Sequence, residues 1–416
     1  MKKSILIINF EMKQFAGSEI NAATIAKRFK ELGYKVYMLA MYFEDPLYSA
    51  VKDSFDEIID IKKNDFDFSN IEFDIVWAHH SFLLNWLIFE NKIKAKKVIV
   101  SSLSPVVPFE FIPQYANDLS LVLANSQETK EQLIKEGIKD VYLLENYSFK
   151  KYFEQKNEVK ELKNIAIVSN HIPDEVMEAK QLLEDGTYNV DIYGMAGKHE
   201  LIDDKILKKY DLIITIGKTV QYAMSLEIPV YVYDIHGGAG YLTLENLEKN
   251  RAKNFSGRGF ERKDSNEIYN DITQNFKKTL GMLHDIKEYA YTNFCFEDNI
   301  DKIIEKIDQK ADINLDDVRK KYQIEKRKLL IPRQLEDYLV EKYENILRVE
   351  RHELYNEIKR LTKSEENMRK AIIEKDELIK QQETHLENIE NSIFGKCMKI
   401  ARRLKKGKGK KSNNEV

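Results

Sequence analysis

The sequence predicts an α/β protein of two doubly wound domains, followed by a long helix able to form a coiled coil and by a basic amphipathic tail. Three observations carry this expectation. Short apolar runs alternate with amphipathic helical stretches over roughly the first 300 residues, the pattern of parallel sheets covered by helices. A polar break interrupts that alternation once, at residues 150–163 (KKYFEQKNEVKELK). From about Leu339 to Ile393 there is no Gly or Pro, and apolar residues recur every seven positions.

The first domain is expected over residues 1–155. It opens with SILIINF, a run too short for an export signal and ended by Glu11 and Lys13, which reads as a first buried strand. SEINAATIAKRFKEL follows, a helix with Ser18 at its start and Gly33 as its stop. KVYMLA, DIVWAH, KVIVSS, LSLVLANS and VYLLEN are further strands, with a helix from Ser126 to Gly137 before the last. The second domain is expected over 156–312. NIAIVS, NVDIYG, DLIITIG and PVYVYD are its strands; a helix flanked by Pro173 and Gly186 and the segment TVQYAMSLE lie between them. Terminal helices from about Asn266 would close this domain, with part of that segment able to cross back to the first.

The coiled coil is placed at 335–393. Leu347, Leu354, Leu361, Met368 and Ile389 share one seven-residue register; Ile358, Ile372, Ile379, Leu386 and Ile393 share a second, offset by four. Glu365, Lys375 and Gln382 interrupt the seam, and polar seam residues fix register and oligomer number at a cost in stability. This predicts a homo-oligomer. The tail, residues 394–416, falls in IFGKCMKIARRLKKGKGKK, which starts at Ile393 and has Ile393, Phe394, Cys397, Met398, Ile400, Ala401 and Leu404 near one face and Lys or Arg on the other. Such a helix suits the headgroup plane of an anionic membrane.

Composition narrows the classes. A formal net charge of −3 and no nucleic-acid-reading motif beside the basic tail argue against a nucleic-acid partner. Cys295 and Cys397 are far apart and lack metal spacing, which fits a reducing compartment. No apolar run approaches the ~20 residues of a membrane span. The expected location is the cytoplasm, peripheral on the inner membrane face.

Ligands of open parallel sheets bind beyond the carboxyl ends of the strands, so the residues there are the candidates. Gly17 and Ser18 follow the first strand at a helix start, where free N–H groups attract anions. His79 and His80 follow DIVWA, either one a candidate general base or positioning group. Gly217, Lys218 and Thr219 follow LIITI and offer backbone donors, a positive charge and a hydroxyl for a diphosphate. Asp234 ends PVYVYD and could accept from sugar hydroxyls; His236, Gly237 and Gly238 come next, the glycines allowing a backbone to approach a ligand closely. Asp65-Phe66-Asp67 has the form of a metal-binding acid pair but stands in a polar stretch with no strand before it.

With these residues in view, positions 1–300 resemble the GT-B glycosyltransferases that build bacterial surface polysaccharides, of the family 4-like type. FAGSEINAATIAKRFKELGYKV resembles that group's N-terminal loop and helix, and DIVWAHH its strand ending in the N-domain histidine, best matched by His79. LVLANSQETKEQLIKEGI with LLEN resembles the end of the N domain, and IGKTVQYAMSLEIPVYVYD the donor-side strand, helix and strand. IHGGAGYLTLENLEKNRAKNFSGRG looks like a motif of one sub-branch, with Asn254, Ser256 and Arg258 as cleft candidates. The resemblance implies two Rossmann-like domains. It also implies transfer from a nucleotide-diphosphate sugar to a growing surface glycan or lipid-linked precursor, with His79 catalytic, no cofactor and no metal. Retaining members carry two donor-side glutamates eight positions apart. Here those positions are Ile213 and Gln221, neither a carboxylate. This departure leaves the stereochemistry open and leaves a rival: a non-catalytic scaffold of the same fold that binds nucleotide sugar or glycan and recruits partners through its coiled coil.

Overall fold

The computed structural model describes residues 2–63, 66–105, 107, 110–155, 157–322 and 332–408. It divides into two compact units, Met1–Gln334 and Leu335–Val416. Asp65 lies outside the described residues; its neighbour Asp67 caps a short turn, accepting from the Ser69 N–H at 2.9 Å.

The first unit contains both sheets. In chain order the first domain holds β1 (Ser4–Ile8), β2 (Glu11–Met12), β3 (Lys35–Ala40), β4 (Tyr42–Phe43), β5 (Glu57–Asp60), β6 (Glu72–Ala78), β7 (Lys94–Ser102), β8 (Leu121–Ala124) and β9 (Val141–Leu143). Seven of them form one sheet in the order β5-β3-β1-β6-β7-β8-β9, and every pairing is parallel. β2 and β4 make a separate two-stranded ribbon. The second domain holds β10 (Asn164–Val168), β11 (Asn189–Tyr193), β12 (Leu212–Thr215), β13 (Val230–Asp234) and β14 (Gly237–Tyr241), ordered β11-β10-β12-β13-β14. Only β14 runs antiparallel to its neighbour. Both are doubly wound, Rossmann-like sheets. Their order reverses between β1 and β6 and between β10 and β12, and at such switch points strand ends diverge and leave a crevice.

Both faces of each sheet carry a core, which is why the strands read as continuous apolar runs. Ile5, Leu6, Ile7 and Ile8 of β1 are all fully buried, alternate residues belonging to opposite faces. Helix ends follow the sequence signals: Ser126 accepts from the Thr129 N–H at 3.1 Å, and Asp264 forms a reciprocal capping box with Glu267.

The domain borders differ from 155/156 and 312. Tyr152 and Phe153, in the helix Lys150–Phe153, already belong to the second domain's core. The chain returns to the first domain at Cys295. The helix Phe296–Gln309 buries Phe296, Ile300, Ile303 and Ile307 against the β1 side of the first sheet, and Leu315 and Val318 of Leu315–Lys321 pack on its other face. The two crossings touch: Ser148 N–H donates to Phe294 O and Phe296 N–H to Ser148 O, both at 2.8 Å. Polarity marked the first crossing a few residues late, because the aromatic pair sits inside the charged break.

The second unit contains the helix Pro332–Asn391 from Leu335 onward and the helix Ile393–Lys408. From Leu354 to Ile389 the described side chains are exposed, the apolar seam included. Residues 409–416 of the tail lie outside the described residues. No helix among the described residues is long and apolar enough to cross a membrane.

Candidate active site

A cleft of about 560 Å³ opens between the two domains of the first unit, within the ~300–1,000 Å³ usual for small-molecule sites. Its walls come from the loops beyond both switch points. Gly17, Ser18 and Asn21 follow β1, Ser169 and His171 follow β10, and Gly217, Lys218 and Thr219 follow β12. Asp234, at the end of β13, also lines it.

Gly217 has φ 58° and ψ −134°, angles a residue with a Cβ avoids, and this turns the end of β12 directly into the helix Lys218–Ser225. The first N–H groups of a helix have no partner within it, and here they start at the cleft wall. The Lys218 ammonium is shut off from water and makes no hydrogen bond. It lies over the Tyr147 ring, 4.1 Å from the centroid, with Tyr222 5.7 Å away. Burial without a counter-charge lowers it to about 7. A cation held so is poised to gain an anion.

Asp234 is buried, and its Oδ1 has no hydrogen-bond partner. Burial raises its carboxyl above the ordinary value. Gln221 is different: it is buried under the first turn. With its amide nitrogen turned to donate, it bonds Gly217 O at 2.7 Å and Lys218 O at 3.1 Å. It therefore holds the turn and does not line the cleft.

Four further candidates stand elsewhere than expected. His79 is fully enclosed behind Asn21, whose amide donates to Nε2 at 3.3 Å; Nδ1 is unpartnered, and burial lowers the ring to about 4. It does not line the cleft: just past the end of β6, its N–H still donates to Ile8 O of β1 at 3.1 Å. His80 accepts at Nδ1 from the Phe10 N–H at 3.0 Å. His236 is exposed in the turn between β13 and β14 and is no part of the cleft lining. Arg258 is ion-paired with Glu128, which also holds Lys253 at 2.9 Å, so these groups tie the helix Gln127–Lys135 to the second domain. Of the neighbouring candidates, Asn254 does line the cleft and accepts at Oδ1 from Asn146 Nδ2 at 2.8 Å.

Gly237 and Gly238 likewise do not line the cleft. They form the start of β14, an antiparallel return against β13. A Cβ on Gly238 would stand 2.0 Å from Val232 O, and one on Gly237, where φ is 86°, 2.5 Å from Glu261 O. Close backbone packing, and not a ligand, demands these glycines.

The residue that sequence reasoning missed is Glu110. It lies in the loop after β7 and lines the cleft from the first domain. Its Oε2 is buried with no hydrogen bond, and burial raises the carboxyl to about 7, against the lowering effect of a hydrogen bond from the Leu103 backbone and with a smaller like-charge effect from Glu19. His80 Nε2 stands 3.8 Å from Oε1, and burial lowers that ring to about 3. No local pattern marks Glu110; only the fold brings it to the cleft. Among the described residues no group of three or more His, Cys, Asp or Glu side chains is placed to hold a metal ion.

Two Rossmann-like domains facing each other across such a cleft, with a final helix returning to the first, are the GT-B architecture. No protein-family model matches the chain, and no curated protein does either. Among solved structures the chain is similar to TarM of S. aureus, captured with fondaparinux, α-GlcNAc-glycerol and UDP. That likeness has 12% identity and a TM-score of 0.38, over 56% of this chain and 55% of that one. It is similar to WaaG, a glycosyltransferase of lipopolysaccharide biosynthesis, at 10% identity and a TM-score of 0.40, over 72% of this chain and 98% of that one. It is also similar to a UDP-N-acetylglucosamine 2-epimerase, at 16% identity and a TM-score of 0.42, over 70% of this chain and 91% of that one. These likenesses are distant, and the architecture rests on the strand order given above.

Proposed function

We propose that the protein transfers a sugar from a nucleotide-diphosphate sugar to a growing surface glycan or its lipid-linked precursor. One observation carries this reading: Lys218, at a helix start with its buried ammonium making no hydrogen bond, and Glu110, with its buried Oε2 making none, line the same interdomain cleft from opposite domains. Lys218 and the N–H groups of its helix bind the diphosphate and stabilise the charge that grows on it as it leaves. Asp234 accepts from donor hydroxyls. Glu110, as carboxylate, takes the proton of the acceptor hydroxyl as its oxygen bonds the anomeric carbon and the bond from that carbon to the diphosphate breaks. His79 is a positioning group that orients Asn21. No metal enters this scheme, since the diphosphate charge is met by backbone and lysine.

The test is acceptor-dependent release of nucleotide diphosphate from UDP-, GDP- and dTDP-sugars by the purified chain, with Lys218→Met as control. Turnover by the wild type and loss in the variant support the enzyme. A donor that binds tightly yet never turns over with any acceptor supports instead the non-catalytic scaffold, a reading favoured only by Ile213 and Gln221 standing where a glutamate pair is expected.

The reading extends to the second unit. The long helix serves as a homo-oligomeric coiled coil. The helix Ile393–Lys408, whose Met398 and Ile400 are exposed amid basic residues, binds anionic lipid. The protein then works in the cytoplasm at the inner membrane face, where a lipid-linked acceptor is presented. Removing residues 394–416 should abolish sedimentation with anionic vesicles at low salt; unchanged sedimentation removes this part of the proposal.

A further inference from the structure

The apolar seam of the helix Pro332–Asn391 has no cover within its unit: its members from Leu354 to Ile389 are 47% to 66% exposed. We infer that a second copy of this helix covers it in antiparallel orientation, about a two-fold axis at the level of Lys370. The inference deepens the homo-oligomer reading and does not depend on the chemistry of the cleft.

The argument starts from the polar residues in the seam. Leu354, Leu361, Met368, Lys375, Gln382 and Ile389 occupy one core position, and Ile358, Glu365, Ile372, Ile379 and Leu386 the other. In a parallel, in-register pair each core layer places a residue against itself. Glu365 would then face Glu365, and Lys375 would face Lys375, two like-charge layers inside the interface. Ile at the position of Ile358, Ile372 and Ile379 with Leu at that of Leu354 and Leu361 otherwise suits parallel dimers, but buried like charges oppose it.

Reversing one helix pairs each core position with the other. In the register centred on Lys370, Glu365 meets Lys375 of the second copy, twice by symmetry. The flanking layers are then apolar: Met368 with Ile372, Leu361 with Ile379, and Leu354 with Leu386. Ile358 meets Gln382 and, at the outer end, Ile389 meets Arg351, the two mixed layers. The row beside the seam agrees, since Arg369 lies in its N-terminal half and Asp376 and Glu383 in its C-terminal half, so reversal brings Arg369 towards Asp376. Within a single helix Glu365 is engaged by Arg369 at 2.8 Å, an exposed contact that is weak and readily exchanged.

Cysteine cross-linking of the full chain in a Cys397→Ser background, with the buried Cys295 retained, decides the orientation. Leu361 and Ile379 lie about 27 Å apart along one helix at 1.5 Å per residue, far beyond disulfide reach. Expected is a disulfide dimer when Leu361→Cys and Ile379→Cys proteins are mixed, and none from either alone. A Leu361→Cys protein that cross-links to itself overturns the antiparallel register and leaves the oligomer reading standing. A monomer by sedimentation at tens of micromolar overturns both, and neither result touches the glycosyltransfer reading. Charge swaps provide the second measurement. Glu365→Lys should weaken the dimer by at least about tenfold, and Glu365→Lys with Lys375→Glu should restore it. Equal dimer strength in single and double variants overturns the pairing.

Discussion

Lys218 offers the sharpest test of the site, because its proton inventory must change when a diphosphate arrives. The ammonium makes no hydrogen bond within the chain, and burial lowers it to about 7. At pH 8 only about one molecule in ten then carries the charge. A bound diphosphate restores the charged form, so binding must recruit a proton, at a cost of about 1.4 kcal/mol per pH unit above 7. Donor affinity is therefore expected to be flat from pH 6 to 7 and to fall about tenfold for each unit above. A charge-assisted hydrogen bond is worth ~1.5–3 kcal/mol, so Lys218→Met should weaken binding roughly 10- to 150-fold at pH 6.5. The gap shrinks as pH rises. The assay is calorimetric titration with a nucleotide-diphosphate sugar, whose phosphodiester oxygens do not titrate in this range, in two buffers of different ionisation heat. The wild type should take up nearly one proton at pH 8 and the variant none. Without ligand the sign is opposite: between about 7 and 10.5 the unfolded chain holds the extra proton, so stability rises with pH there. Affinity that is independent of pH from 6 to 9, or a variant that binds as well as wild type, refutes the reasoning.

Glu110→Gln should lower kcat by ~10²–10⁴ while leaving donor affinity within a factor of about three; the wild-type rate should rise with pH through about 7, as the carboxylate forms, and the variant should lose that limb. Gly238→Ala places a methyl against Val232 O and should lower the melting temperature sharply or abolish folding; an unchanged melting temperature with lost donor binding would return this glycine to the ligand. Arg258→Ala and Glu128→Ala should be strongly non-additive in chemical denaturation, since both break one partly buried cluster. His79 is lowered to about 4, so the unfolded chain takes up an extra proton between about 4 and 6.5 and stability falls as pH drops through that window. His79→Gln should lose less stability than wild type from pH 7 to 5, which urea midpoints would measure.

The fold was legible where burial is two-sided. β1, β3, β6, β7, β8 and the strands β10 to β13 are apolar runs with helices between, and each reads as a strand from that local pattern. β5, with the sequence EIID, escaped because it is a short edge strand of alternating character, and β14 escaped because three glycines in five residues read as a turn. The site was legible where it depends on strand ends: Gly17, Ser18, Gly217, Lys218, Thr219 and Asp234 all line the cleft. It was illegible where two physical causes leave one sequence signature. A glycine admits a ligand or a neighbouring backbone equally well, and at Gly237 and Gly238 the neighbours are Glu261 O and Val232 O. A histidine at a strand end can face the cleft or be enclosed away from it, and His79 is enclosed behind Asn21. Glu110 had no signature at all, since a carboxyl becomes chemically unusual through burial, and burial of a loop residue is decided by elements distant in sequence. The same logic explains why Ile213 holds no acid: it is fully buried in the second domain's core, so a carboxylate there would lie in the packing of β12 and not in the cleft. Asp234 presents a buried carboxyl from the second domain's wall, and Glu110, whose Oε2 is buried without a hydrogen bond, presents one from the first; it is to Glu110 that the proposed scheme assigns the acceptor's proton.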